Sequence, residues 1–262
     1  MRNTFYKIYS PAFKRKIRFA LVSDLHNQDY HKPLELLRKA RPDYILFAGD
    51  IFEALDGSYT EDNERVLPLL AESARLAPSF YCTGNHEDHA THSEVNVVKG
   101  FRGMGHQYKK DFLKRIEDTG VRLLLDDYVI FDGIAFGGLA SGLVSDNGEP
   151  NLEFLTRFSK TCAPKVLICH HPEYFPKYIK NDLPIDIVVS GHAHGGQWRF
   201  FGRGVFSPGQ GLFPKYTSGV HKGSKSTLIV SKGLKKTIIP PRIFNPREVV
   251  IIDVACERRK SK

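Results

Sequence analysis

Apolar residues gather along the chain in short runs rich in Val, Ile, Leu and Phe, namely IRFALVS, DYILFAG, PSFYCTG, PKVLICH and IDIVVSG, each ending in a polar or glycine-bearing turn. Runs this short and continuous predict strands buried on both faces. Between the first three lie PLELLRKAR and EDNERVLPLLAESARLA, whose apolar residues recur at helical spacing, with Pro68 placed to kink or restart the second. Strand alternating with helix predicts βαβ units and a largely parallel sheet. A further helix is expected over KKDFLKRIEDTG, with Gly120 as its cap. VRLLLDDYVIFDGIAFGGLA then predicts two or three short strands joined by Asp-rich and Asp-Gly turns, and the segment from Trp198 onward is again strand and turn. No internal repeat or interdomain linker interrupts the pattern. The expectation is an α/β sandwich of two mixed sheets in a single domain over residues 1–262.

Composition narrows the class. The chain has 262 residues, 41% of them hydrophobic, enough for a sizeable core. No apolar run reaches the roughly 18 residues of a membrane-spanning helix, and the opening MRNTFYKIYSPAFKRK holds no apolar stretch of signal-peptide type. A cytoplasmic protein, peripheral at a membrane surface at most, is expected. Cys82, Cys162, Cys169 and Cys256 show neither metal-type pairing nor a disulfide framework, and read as reduced core thiols. The net charge of +9 is uneven: residues 198–262 carry 14 Lys and Arg against three acids, leaving 24 against 26 before them.

The strand ends carry the chemistry. SDLHN supplies Asp24 and His26, AGD supplies Asp50, TGNHE supplies Asn85 and His86, CHHP supplies His170 and His171, and GHAH supplies His192 and His194. Loops at the carboxyl ends of strands in α/β sheets converge on one crevice, so these residues are expected to meet. Carboxylates, one amide and several imidazoles suit Mn²⁺, Zn²⁺ or iron better than Ca²⁺ or a thiolate site. Any one of them has an ordinary alternative: a lone Asp after a strand is usually a turn residue or helix cap, and a lone His a hydrogen-bonded core residue. Five such clusters in succession make that alternative a coincidence.

In their order, DxH, GD, GNH[DE], H and GHxH over residues 24–194 resemble the calcineurin-like metallophosphoesterase superfamily. The downstream GGQWRF, SPGQGLFPKYTSGVH and KGLKKTIIPPRIFNPREVVIIDV are similar to a bacterial phosphodiesterase branch of it, some of whose members are membrane-associated or exported. The resemblance implies a four-layer α/β/β/α sandwich. It implies two divalent transition metal ions (Mn²⁺, Zn²⁺ or Fe), with Asp24, His26 and His194 on one, Asn85, His170 and His192 on the other, and Asp50 bridging. His171 stands where relatives often carry Asn. His86, outside that metal set, would assist the leaving group while metal-activated hydroxide attacks the phosphorus. Glu87 and Asp88 follow it, either to orient His86 or simply to solvate the loop. Lys215 and Tyr216, in FPKYTSG, are the candidate substrate contacts.

The resemblance thus implies hydrolysis of an anionic phosphodiester, or of the pyrophosphate in a nucleotide-linked lipid such as UDP-diacylglucosamine. A nuclease and a non-catalytic scaffold are the other classes. From Trp198 to Arg247 there are ten basic residues and no acids, interleaved with Trp198, Phe200, Phe201, Phe206, Phe213, Tyr216 and Phe244. Such a stretch reads as a solvated basic face, or as a surface for anionic membrane or for nucleic acid, with several of the aromatics expected in strand cores. Residues Asp88 to Tyr108, with His89, His92 and His106, form either a lid or a surface excursion.

Overall fold

The computed structural model describes residues 1–53, 61–87, 112–141, 149–207, 210–237 and 241–256; the Asp88–Tyr108 stretch lies outside them. The apolar runs form the centres of two six-stranded mixed sheets. In the first, β2 (Ile17–Val22), β3 (Tyr44–Ala48), β4 (Ser79–Cys82) and β5 (Arg122–Leu123) are parallel. β16 (Glu248–Ala255) lies antiparallel beside β2, and β1 (Arg2–Tyr9) pairs parallel with β16. The second sheet has β7 (Ile134–Leu139), β8 (Lys165–Cys169), β9 (Ile187–Ser190) and β15 (Thr227–Val230) in parallel, edged by antiparallel β6 (Asp127–Phe131) and β14 (Gly219–Lys222).

Alternation along each strand divides its side chains between two layers. In β2, Ile17, Phe19 and Leu21 enter the core between the sheets, where they meet Phe136, Val166 and Ile187 of the second sheet; Ala20 and Val22 face the other way, toward α1 (His31–Ala40) and α3 (Leu67–Leu76). Phe80 and Phe136 stack across the sandwich with ring centroids 3.9 Å apart. The outer face of the second sheet is covered by α5 (Leu152–Ser159) and by a π-helical turn, Phe175–Ile179. The result is the expected α/β/β/α layering. Pro68 restarts the helix: α2 (Glu61–Glu64) ends, and α3 begins with the proline in its first turn, where a missing N–H costs nothing. α4 (Phe112–Asp118) runs out at Gly120, φ +92°. Of the cysteines only Cys82 and Cys169 are buried, whereas Cys162 is exposed and Cys256 half-buried, so two of the four depart from the core-thiol expectation.

From Trp198 to Phe213 the chain makes only two-residue hairpins, β10 (Arg199–Phe200) with β11 (Arg203–Gly204) and β12 (Phe206–Ser207) with β13 (Gly211–Leu212), outside both large sheets. They pack on the His194–Gly196 turn. Trp198, Phe200, Phe201, Phe206, Phe213 and Phe244 are all exposed, contrary to the expectation of strand core; Tyr216 alone of the set is buried.

Candidate functional site

Parallel pairing of β2, β3 and β4, and of β8 and β9, sends their carboxyl ends in one direction, and every candidate metal ligand, with His86, sits just beyond one of those ends. The loops are tight. Asp24, His26, Asp50, His192 and His194 all have left-handed backbones, with φ of 54°, 53°, 52°, 65° and 45°. Asp and His tolerate that region better than bulky residues do. The glycines of the GD and GNH turns touch backbone to backbone: a Cβ on Gly49 would lie 2.3 Å from the Gly84 nitrogen, and one on Gly84 2.2 Å from Asp50 Oδ1. No side chain larger than hydrogen fits at either position.

Among the described residues, four groups of potential ligands form at this end of the sandwich; two of them add Glu53 or Glu173 (His26, Glu53 and His86; His171, Glu173 and His192), and two consist wholly of residues singled out in the sequence. Ligand-type atoms of Asp24, His26 and His194 lie within 4.8 Å of one another, as do those of Asp50, His170 and His192. Asp50 Oδ2 joins the groups, 3.7 Å from His26 Nε2 and 3.1 Å from His170 Nε2. Asn85 belongs to the second, its Oδ1 accepting from His192 Nδ1 at 2.9 Å. His170 Nδ1 donates to the Ala48 carbonyl at 2.7 Å, and His26 Nδ1 to Glu53 Oε2 at 3.0 Å, which turns the Nε2 atom of each ring inward.

The donor set fits divalent cations. Asp24 Oδ2 and His26 Nε2 are buried without a hydrogen-bond partner, an arrangement that is costly unless something else satisfies them. Burial disfavours charge on both His170 and Asp50; even so, their mutual attraction raises His170 to about 10 and holds Asp50 well below the usual carboxylate range. Positive charge is therefore preferred beside Asp50, a preference that a metal ion satisfies equally. Burial, reinforced by neighbouring histidines, keeps His192 and His194 well below the ordinary imidazole value, in the neutral form a ligand requires. Burial, followed by repulsion from Asp50, raises Asp24.

Sequence reasoning missed several carboxylates and cations here. Glu53, three residues beyond Asp50, sits between two rings: besides holding His26, its Oε1 lies 2.8 Å from His86 Nδ1. Lys235 Nζ donates to Glu53 Oε2 at 2.9 Å. Burial opposes charge on His86, but Asp50 and Glu53 outweigh it and raise its pKa. Glu173 lies 3.2 Å from His171 Nδ1 and 3.8 Å from His192 Nε2. Arg242 Nη2 is 3.3 Å from His194 Nδ1, and Arg242 donates to the Lys232 carbonyl. The signal for Glu53 lay in GDIFE, a second acid one turn after the first, although surface acids follow strands just as often.

Glu87 neither solvates its loop nor carries the contact to His86, which falls to Glu53. It is fully buried, accepting from the backbone nitrogens of Asp50, Ile51, Phe52 and Gly84 and from the Tyr81 hydroxyl. One carboxylate thus fixes the loop that presents Asp50. Asp88 lies outside the described residues. Among the described residues, Tyr216 packs against Phe175 and His221 and bonds through its backbone to Gln210, while the exposed Lys215 Nζ stands 5.7 Å from the Tyr216 ring.

Known proteins resemble this chain over most of its length. The uncharacterized metallophosphoesterase YkuE of Bacillus subtilis is 27% identical over 244 residues, 87% of this chain and 76% of that one. Phosphodiesterase YaeI of Escherichia coli is 26% identical over 215 residues, 76% of this chain and 66% of its own. UDP-2,3-diacylglucosamine pyrophosphatase LpxG of Chlamydia muridarum is 26% identical, with 90% and 83% covered. The chain spans only 60 or 61% of the curated relatives from Campylobacter jejuni and Helicobacter pylori. Residues 17–196, which run from the first residue of β2 through the His194 loop and so contain every strand-end cluster described above, match the model of the calcineurin-like phosphoesterases, and the chain belongs to that family.

Proposed function

We propose that the protein is a dimetal phosphoester hydrolase acting on phosphodiesters, with Asp24, His26 and His194 holding one divalent ion, Asn85, His170 and His192 a second, and Asp50 shared by both. The observation that carries this reading is the meeting of the two ligand groups on Asp50, beside a histidine that belongs to neither. When bound, such a pair of ions supplies hydroxide at neutral pH and positive charge for the phosphoryl oxygens.

The chain's own residues do the rest. Asp50 places negative charge between two sites that would otherwise repel. His86 Nε2 lies 3.8 Å from Asp50 Oδ2, at the edge of the cluster, while its Nδ1 faces Glu53. Glu53 therefore orients the ring and favours its protonated form, leaving the Nε2 proton available to the departing oxygen. Glu87 locks the Asp50 loop so that these distances are held before substrate arrives.

Two relatives bear on the substrate: one is named a phosphodiesterase and the other a pyrophosphatase of a nucleotide-linked lipid. The second reading, pyrophosphate hydrolysis on such a lipid, is favoured by the more complete coverage of that relative. Metal analysis of the protein, followed by assay of the Mn²⁺- or Zn²⁺-loaded enzyme on aryl phosphomonoester, aryl phosphodiester, single-stranded DNA and UDP-diacylglucosamine, tests both. Binding of no more than one ion, or hydrolysis of monoester alone, overturns the proposal.

A further inference from the structure

Three exposed phenylalanines stand in loops beside the candidate metal centre, in a backbone conformation that suits them badly. Phe201, Phe213 and Phe244 have φ of 49°, 51° and 52°, and are 105%, 75% and 78% exposed. A left-handed backbone under a bulky residue is a genuine outlier, and such outliers cluster where function holds them. The hairpin of Phe201 makes the anomaly plain. Phe201 and Gly202 form a two-residue loop with φ of 49° and 79°, closed by the Phe200–Arg203 pair. The β6–β7 hairpin has a loop of the same length and sign, 48° and 75°, but fills it with Asp132 and Gly133, the residues that this turn ordinarily selects. The rim hairpin carries a fully exposed phenyl ring instead.

The three loops are tied to the site. Val205 N donates to the carbonyls of Gly196 and Trp198, and Phe213 N donates to Val205 O. Arg199 N donates to Ile243 O, and Asn245 Nδ2, next to Phe244, donates to His194 O at 2.7 Å and Gln197 O at 3.1 Å. All three loops are thus bonded, directly or through one residue, to the segment that carries His194. Between Phe200, Phe201 and Phe244 lies an open hollow of about 340 Å³ walled by Arg199. The described residues in 198–247 include ten Lys and Arg and no Asp or Glu; Lys232 is buried on Glu248, Lys235 pairs with Glu53 and Arg242 is turned toward His194, while Arg203, Lys215, Lys222, Lys225 and Lys236 are exposed.

We propose that Phe201, Phe213 and Phe244 are a shallow membrane anchor that seats the chain on an anionic bilayer, with the metal centre drawn to lipid-borne phosphoesters at the headgroup level. The proposal deepens the phosphoester hydrolase reading by naming the surface from which substrate is taken. Charge complementarity selects the occupant, because the exposed cations Arg203, Lys215, Lys222, Lys225 and Lys236, in a stretch without acids, match anionic headgroups. Shape agrees: Phe201 protrudes from a two-residue turn, and Phe213 and the Phe200–Phe244 ring pair stand exposed, a relief that enters an acyl layer more readily than it forms a flat protein interface. Phe has no polar handle and suits the acyl side, whereas Trp198, half-exposed at their base with its Nε1 bonded to Pro241 O, suits the interface. No helix among the described residues is long and apolar enough to cross a membrane, so attachment of this kind is reversible.

Trp198 is the chain's single tryptophan and reports directly. The full chain, free of substrate, is mixed with vesicles of phosphatidylcholine containing phosphatidylglycerol; cosedimentation and Trp198 emission are read at low salt and at about 0.5 M salt, where the screening length is roughly 4–5 Å. The comparison is the triple variant Phe201→Asn, Phe213→Asn, Phe244→Asn, in which asparagine tolerates the left-handed backbone. Expected are binding of the native chain with a blue shift of Trp198 emission, weakening at high salt, and at least about tenfold weaker binding by the variant. The variant should keep its metal content and a thermal midpoint no lower than that of the native chain, which separates loss of the anchor from loss of the fold. Three results each overturn the proposal: no binding of the native chain to these vesicles at low salt, equal binding by native and variant chains, or a native dimer that the substitutions dissolve while neither form binds vesicles. The readout needs no turnover, so a chain that binds vesicles but hydrolyses nothing sinks the function and leaves the anchor standing, and the converse holds.

Discussion

Two regions of this molecule use the same left-handed backbone to opposite ends. In the loops beyond β2, β3 and β9 it turns Asp24, His26, Asp50, His192 and His194 inward, onto one another. In the rim loops it turns Phe201, Phe213 and Phe244 outward, into solvent. The inward set uses side chains that tolerate the conformation and is held by partners: Glu87 alone receives four backbone N–H groups and a hydroxyl. The outward set uses side chains that do not, each at a cost of about 1–3 kcal/mol, and gains little burial in return: Phe244 meets the Phe200 ring edge-on, and Phe201 is fully exposed. Strain offset by local contacts marks a site that is complete within the chain. Strain without such contacts points to something outside it.

The largest effect is expected on the inward side. Asp50→Asn should empty both metal positions and abolish turnover, because one carboxylate serves the two groups; elemental analysis showing full occupancy with retained activity would break the comparison at its root. His86→Ala should keep both ions and still lose roughly 10²- to 10⁴-fold in turnover on esters with poor leaving groups. Activated aryl esters should lose much less, and an equal loss across leaving groups would mean that His86 is not the proton donor.

Glu87→Gln tests whether the inward strain is held from behind. The amide would place an NH₂ group against backbone donors, at a cost of about 2–4 kcal/mol and a fall of roughly 5–15 °C in thermal midpoint. A midpoint matching that of the native chain would show that the Asp50 loop is held by something else. The smallest effect, and the one of opposite sign, is expected on the outward side: Phe201→Asn should stabilise by about 1 kcal/mol, a rise of roughly 2–4 °C, since Asn-Gly is a preferred pair for this turn. Destabilisation by this change would mean that the exposed ring makes contacts within the chain after all.

Much of the architecture was legible from residue order. Continuous apolar runs such as YILFA and KVLIC have to be buried on both faces, so five central strands could be read without knowing their partners. Asp24, Asp50, His86, His170 and His192 were found because each follows such a run, and parallel strands bring their carboxyl ends together. Pro68 and Gly120 marked helix boundaries by their own restricted or permissive backbones.

Other features depend on contacts between residues far apart in the chain, which periodicity does not encode. β1 is a half-exposed edge strand whose polar and apolar residues mix, and its pairing of Arg2 with Glu248 spans nearly the whole sequence. GNHE and GDIFE offer glutamates that look alike in order, yet Glu87 is buried under backbone amides while Glu53 holds two rings, because only the closed sandwich decides which donors face each carboxylate. Tyr216 and the phenylalanines of the rim likewise share one aromatic, basic stretch. Tyr216 found a layer to pack against beside Phe175; the phenylalanines fell on hairpins too short to join either sheet or, for Phe244, on the loop beside them, and their exposure, like the strain beneath three of them, is a property of the fold that no residue carries by itself.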